Sequence, residues 1–208
     1  MQLVMFMVEG FRSPGSFAMW AILIIGFSCI GLMIERTYFL FFKCGTGTGA
    51  FMAGISKFLK SGEYDKAIKF AQSQKTPLAQ GVVAILKNRG NGTKAVQKAV
   101  DEVFLTETPK IGRFIPLMPT LANLATLLGL MGTIYGLMLA FDAVANVPAA
   151  QRAQALATGI SVAMSTTLFG LIAAIPTLLV HGLLASKSDS VIEELDEKTA
   201  KLINLVEE

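Results

Sequence analysis

Four hydroxyl side chains, Ser161, Ser165, Thr166 and Thr167, crowd into one apolar run, GISVAMSTTLFGLIAAIP at residues 159–176, which carries no charged residue. Two more, Thr126 and Thr133, stand seven apart in a second run, LANLATLLGLMGTIYGLMLAFDAVA, nearly on one line of a helix. A hydroxyl has one hydrogen to donate and lone pairs with which to accept, and it does not titrate near neutral pH. These groups therefore cannot relay protons by titration alone. They can solvate a passing ion, or a carboxylate supplied by another subunit. They can equally bond back to the preceding turn or join neighbouring helices. Nucleophilic catalysis would need a base beside them, and the chain has one histidine, His181, two separated cysteines, Cys29 and Cys44, and no cluster of acids. No enzymatic role, cofactor or metal site is expected from that inventory, and no disulfide. The glycine-rich GTGTG at residues 45–49 lacks the lysine of a phosphate loop and reads as a link.

The hydroxyls need elements that hold them in place. Of 208 residues, 53% are hydrophobic and only 16% charged, too few charges to coat a typical soluble domain. Three apolar stretches, residues 17–42, 114–147 and 155–185, each exceed the ~20 residues that a helix needs to cross ~30 Å of hydrocarbon. The expected fold is all-α: an integral membrane protein with three transmembrane helices and long helices extending into the cytoplasm. Residues 1–15 are an outer or interfacial segment, 16–42 the first span, 43–112 an inner helical loop, and 113–146 the second span with its inner extension. Residues 147–154 are a short outer loop, 155–186 the third span, and 187–208 an inner helical tail. The opening MQLVMFMVEGFRSPG lacks the basic start and cleavage site of a secretory signal, so the first span is expected to be retained. Leu3, Val4, Phe6, Met7 and Phe11 suit a short interfacial helix.

Orientation follows from the basic residues. Residues 43–113 hold twelve Lys or Arg against five acids, whereas the loop between the second and third spans has only Arg152. Basic residues stay on the inner side, which places the N-terminus outside and the tail inside. In the inner loop, Phe51, Ile55, Phe58 and Leu59 recur at helical spacing, as do Tyr64, Ala67, Ile68 and Ala71, before Thr76-Pro77 breaks the run. Thr93 is placed to cap a further helix through Val96, Val100, Val103 and Phe104. In the tail, Val191, Leu195, Leu202 and Leu205 form an apolar stripe, with no break signal between tail and third span.

The second and third spans are rich in small residues. Gly129, Gly132 and Gly136 form one close-approach face, and Gly159 with Ala163 and Gly170 with Ala174 form another, with a kink expected at Pro176. The first span is bulky and aromatic, so lipid should face it. Asp142 is read as an acid at the outer helix end, its other reading being attraction of cations to an entrance. His181 reads as an interfacial side chain reaching toward the headgroups.

The pair LLGLMGTIYGLMLAF (127–141) and GISVAMSTTLFGLIAAIP (159–176), in this order and separated by a short loop, resembles the two signature segments of the MotA/TolQ/ExbB proton-channel family. The basic helical loop, short outer loop and helical tail are similar to its three-span ExbB/TolQ branch. The resemblance implies an inner-membrane stator subunit, a pentamer around the transmembrane helices of a partner dimer of ExbD, TolR or MotB type, with H⁺ or Na⁺ flow driving mechanical work. Thr133 and Thr167 match the threonines that face the partner's essential aspartate, with Thr166, Ser165, Ser161 and Thr126 as further pathway candidates. Pro176 matches as well. Two positions depart from the family pattern: Val162 stands where a glutamate is usual, and Thr126 where a proline is. A non-conducting scaffold that uses the same glycine faces is the competing reading.

Overall fold

The computed structural model describes residue 11 and residues 16–44, 47–74 and 76–207. The expected N-terminal interfacial helix lies outside the described residues apart from Phe11, as do Gly45 and Thr46 of the glycine-rich link. Among the described residues there is no strand. The helices are α1 (Ser16–Tyr38), which passes into a π-helical turn (Phe39–Cys44), α2 (Thr48–Lys60), α3 (Tyr64–Ser73), α4 (Pro77–Asn88), α5 (Thr93–Ile111), α6 (Leu117–Ala145) and α7 (Arg152–Glu207), with a 3₁₀ turn at Ala149–Gln151. Three helices are long and apolar enough to cross a membrane. The chain divides into two compact units, Met1–Ile34 with Pro116–Gly182, and Glu35–Ile115 with Leu183–Glu208.

In the first unit, α6 and α7 run antiparallel, joined by the short connection after Ala145. The glycines set how closely they approach. A Cβ on Gly136 would meet the Cβ of Ala163 at 2.8 Å, and one on Gly170 would meet the carbonyl oxygen of Ala125 at 2.6 Å. One on Gly129 would meet the Thr167 Cα at 3.1 Å, and Gly159 faces Ala140 with no room at all for a side chain. α1 joins them through Ala18, whose Cβ lies 3.2 Å from the position a Gly132 Cβ would take. Bulky apolar side chains turn outward, and not from α1 alone. Trp20 and Phe27 on α1, Ile134 and Phe141 on α6 and Ile175 and Leu179 on α7 are all more than half exposed. α7 continues through Pro176. That residue cannot donate to the Ile172 carbonyl, and Thr177 Oγ1 donates to the next one, Ala173, at 2.7 Å.

The second unit has a conventional apolar core. Phe51, Ile55 and Leu59 of α2 and Ala67 and Ala71 of α3 are buried with Val82, Ile85 and Leu86 of α4, Val96 and Val100 of α5, and Leu195, Leu202 and Ile203 of α7. The helical stripes read from the sequence supply most of this core. In the last turns Ile203 is buried and Leu205 is exposed, because a 3.6-residue period carries the stripe round the helix. Thr76 caps α4 by accepting from Ala79 N at 3.2 Å, with Pro77 at the first helical position. Thr93 is not a cap. It is the first helical residue, and Gly92, at φ 85°, takes the N-cap place without a side-chain bond. Between α5 and α6 the chain turns through Phe114 at φ 65°, a conformation that costs an L-residue roughly 1–2 kcal/mol.

Candidate functional site

The seam between α6 and α7 carries the hydroxyls. Thr133 and Thr167 lie side by side, Oγ1 against Oγ1 in a short hydrogen bond. Thr167 Oγ1 also reaches the Gly129 carbonyl at 3.1 Å, and Thr133 Oγ1 lies 3.1 Å from the Gly129 carbonyl and 3.3 Å from that of Ala163. Thr166, buried, lies 2.7 Å from the Ala163 carbonyl and 3.3 Å from that of Gly129. Three hydroxyls thus converge on two carbonyls.

Each carbonyl oxygen has two lone pairs, and in a helix one of them already receives the amide four residues on. That leaves one site on Gly129 and one on Ala163 for three hydroxyl hydrogens. All three are satisfied when Thr166 donates to Ala163 and either Thr167 or Thr133 donates to Gly129, with the other of the pair donating to its neighbour. Either way one threonine of the pair receives no hydrogen, and its own hydrogen rests on a hydroxyl that can turn. Thr133 and Thr167 are half-buried, Thr166 fully so. The pair can therefore be redirected toward an incoming group by side-chain rotation, whereas Thr166 is held in the packing.

The other candidates lie apart. Ser165 is buried and donates to the Val162 carbonyl of its own helix at 2.6 Å. Thr126 is half-buried and donates to the Ala122 carbonyl at 3.1 Å, a local bond with no partner on α7. Ser161 is half-buried on α7. Asp142 is exposed and lines a cavity of about 640 Å³ between α6 and α7, together with Gly132, Gly136, Gly159, Val162 and Thr166. Neither Thr133 nor Thr167 lines that cavity. The residues singled out in the sequence thus divide into a hydroxyl pair on one side of the seam and a hollow bounded by Asp142. Sequence reading missed the acceptors, since every residue carries a carbonyl. The glycines gave the only available signal: where a helix has no side chain, its neighbour's hydroxyls can reach the backbone.

The profile of the MotA/TolQ/ExbB proton channel family matches residues 69–197. The chain is 31% identical over 162 residues to biopolymer transport protein ExbB-like 3 of Synechocystis, a match covering 76% of this chain and 77% of the relative. It is 26% identical over 192 residues to a biopolymer transport protein ExbB homolog of Methanothermobacter thermautotrophicus, covering 91% of this chain and 66% of that one. It is 29% identical over 113 residues to the Tol-Pal system protein TolQ of Haemophilus influenzae, covering 52% and 49%. With both hydroxyl-bearing segments inside the matched region, the chain belongs to the MotA/TolQ/ExbB proton channel family.

Proposed function

We propose that this membrane protein is the ion-conducting stator subunit of an inner-membrane motor, with its N-terminus outside and its tail in the cytoplasm. Five copies surround the single-span helices of a partner dimer of ExbD, TolR or MotB type, and H⁺ or Na⁺ flow past them does mechanical work. The observation that carries this reading is the Thr133–Thr167 pair, hydrogen-bonded across the seam and half-buried. Thr133, Thr167, Thr166, Ser165, Ser161 and Thr126 are all uncharged, and the two acids within the three apolar stretches, Glu35 and Asp142, stand toward the ends of theirs. An ionised acid at mid-bilayer costs roughly 2.5–3.5 kcal/mol on insertion scales and marks an ion path where it occurs. Here the partner brings it. Rotation of Thr133 and Thr167 gives that carboxylate two neutral donors while it is charged, and releases it once it is neutralised. One elementary charge crossing 100 mV releases about 2.3 kcal/mol, enough for a few ions to move one helix assembly against another.

The test is Thr167→Val, which keeps the shape and removes the hydroxyl. Reconstituted with its partner in vesicles, the variant is expected to assemble normally and lose gradient-dependent H⁺ or Na⁺ entry. Full activity in Thr167→Val and in Thr133→Val would leave the scaffold reading, in which the hydroxyls only join α6 to α7.

A further inference from the structure

The second unit contains a cavity of about 880 Å³ whose wall carries five cationic side chains and two carboxylates. Two of the cations are committed. Buried Arg36 holds Glu35 with both ends of its guanidinium, at 2.5 and 2.7 Å, and donates to the Lys110 carbonyl at 3.1 Å. Lys110 pairs with buried Glu107 at 2.5 Å. The other three, Lys43, Lys87 and Arg113, are exposed, and among the described residues none pairs with a carboxylate. Three positive charges share one hollow whose own acids are already spoken for. A hollow lined this way attracts an anion.

The size of the hollow and the number of donors suit a phosphate rather than a single carboxylate. Its place in the chain indicates the source. Arg36 and Glu35 belong to the last turns of α1, and Arg113 precedes the start of α6 by four residues, so the wall is built from segments that adjoin two membrane-crossing helices. Phe114 is held at φ 65°, with its ring centroid 5.4 Å from the Arg36 guanidinium carbon and 4.5 Å from that of Arg113. Strain of this kind persists only where the surroundings fix it. Here it fixes an aromatic ring and two guanidiniums at one edge of the membrane, where such groups meet headgroups. We infer that the cavity binds the phosphate of an anionic lipid headgroup, with Lys43, Lys87 and Arg113 as its donors.

The test uses the full-length protein in nanodiscs of phosphatidylcholine with and without phosphatidylglycerol, with mass spectrometry of the lipid that survives delipidation. Wild type is expected to retain phosphatidylglycerol over phosphatidylcholine. Lys87→Gln and Arg113→Gln should each weaken that retention about fivefold, from the typical worth of one basic residue at an anionic surface. Lys60→Gln, an equal change of charge outside the cavity, should leave it unaltered. Inorganic phosphate added to phosphatidylcholine nanodiscs should not raise the melting temperature, whereas phosphatidylglycerol should. Lys87 is exposed, so its variant remains informative even if Arg113→Gln misfolds. Equal retention by wild type and Lys87→Gln, or an equal loss in Lys60→Gln, overturns the site. Protection by inorganic phosphate with none from phosphatidylglycerol overturns the lipid as its source.

Discussion

The α6–α7 seam and the core of the second unit bring helices together with opposite materials. At the seam, contact is made by glycine, alanine and backbone, and the large apolar side chains point away. In the second unit Ile55, Val82 and Ile85 are fully buried among other apolar side chains, and the surface is charged. The difference reflects the solvent. In hydrocarbon a leucine gains nothing by leaving lipid for protein, so helices associate through close approach and hydrogen bonds. In water, removing apolar area is itself favourable, by roughly 25 cal/mol per Å². It follows that the seam is harmed by adding atoms and the core by removing them.

The strongest break of that contrast is Ile85→Ala, which empties a fully buried position in the second unit and is expected to cost about 2–5 kcal/mol. Gly170→Ala is the seam counterpart. Its new Cβ would lie 2.6 Å from the Ala125 carbonyl, and pushing α6 and α7 apart should cost about 1–3 kcal/mol. Gly182→Ala is the control, because a Cβ there meets nothing within 4 Å, and replacing a helical glycine should be neutral or stabilise by up to ~1 kcal/mol. Thermal unfolding in detergent ranks the three. If Gly170→Ala were as harmless as Gly182→Ala, the seam would be looser than its geometry says, and the contrast between the units would fail.

Within the seam, two adjacent threonines sharpen the comparison further. Thr166 is held between two carbonyls and buried, so Thr166→Val should lower stability by about 0.5–1.5 kcal/mol and change ion flow little. Thr167→Val, which removes a half-buried bond across the same seam, should cost stability by a similar amount, about 0.5–1.5 kcal/mol, and abolish coupling. Measuring melting temperature and vesicle flux on both variants separates a packing hydroxyl from a working one. Identical profiles for the two would mean that the seam has no such division of labour.

How much of this was legible in the sequence depended on the kind of residue. Long apolar runs at Phe17, Phe114 and Ala155 announced three membrane-crossing helices, since length and hydropathy suffice for that. The lack of a break between Ala185 and Asp189 announced that α7 continues. Gly136, Gly159 and Gly170 showed that helices would meet closely, but not that Ala163, Ala140 and Ala125 would be their partners, because pairing across the seam is a tertiary fact. The Thr133–Thr167 contact joins residues that lie 34 apart, and the two positions were paired only through family resemblance. The unpaired cations Lys43, Lys87 and Arg113 were visible as a basic loop. That they line one hollow is a tertiary fact, and the turn at Phe114 beside Arg113 gave no sequence signal.

The smallest effect concerns the joint that holds the α7 tail to α2. Thr48 Oγ1 donates to Glu194 Oε1 at 2.8 Å, and Lys198 pairs with the same carboxylate. The Lys198 hydrogen bond holds the Glu194 carboxyl below its ordinary value of 4.5, against an opposing push from partial burial, and Thr48 adds to the lowering. A carboxyl lowered in the folded state stabilises it at pH values above the ordinary pKa. That contribution fades below about pH 4.5 and is lost once the pH falls through the lower folded value. Since the Glu194 side chain is 35% exposed, solvent and salt screen the pair and the effect should be small. Melting temperatures of wild type and Glu194→Gln should therefore differ by a small constant amount near neutral pH, converge on acidification, and converge sooner in high salt. A gap that widened as the pH fell would mean that the charged carboxylate works against the joint, and that the tail is held by Leu195, Leu202 and Ile203 alone.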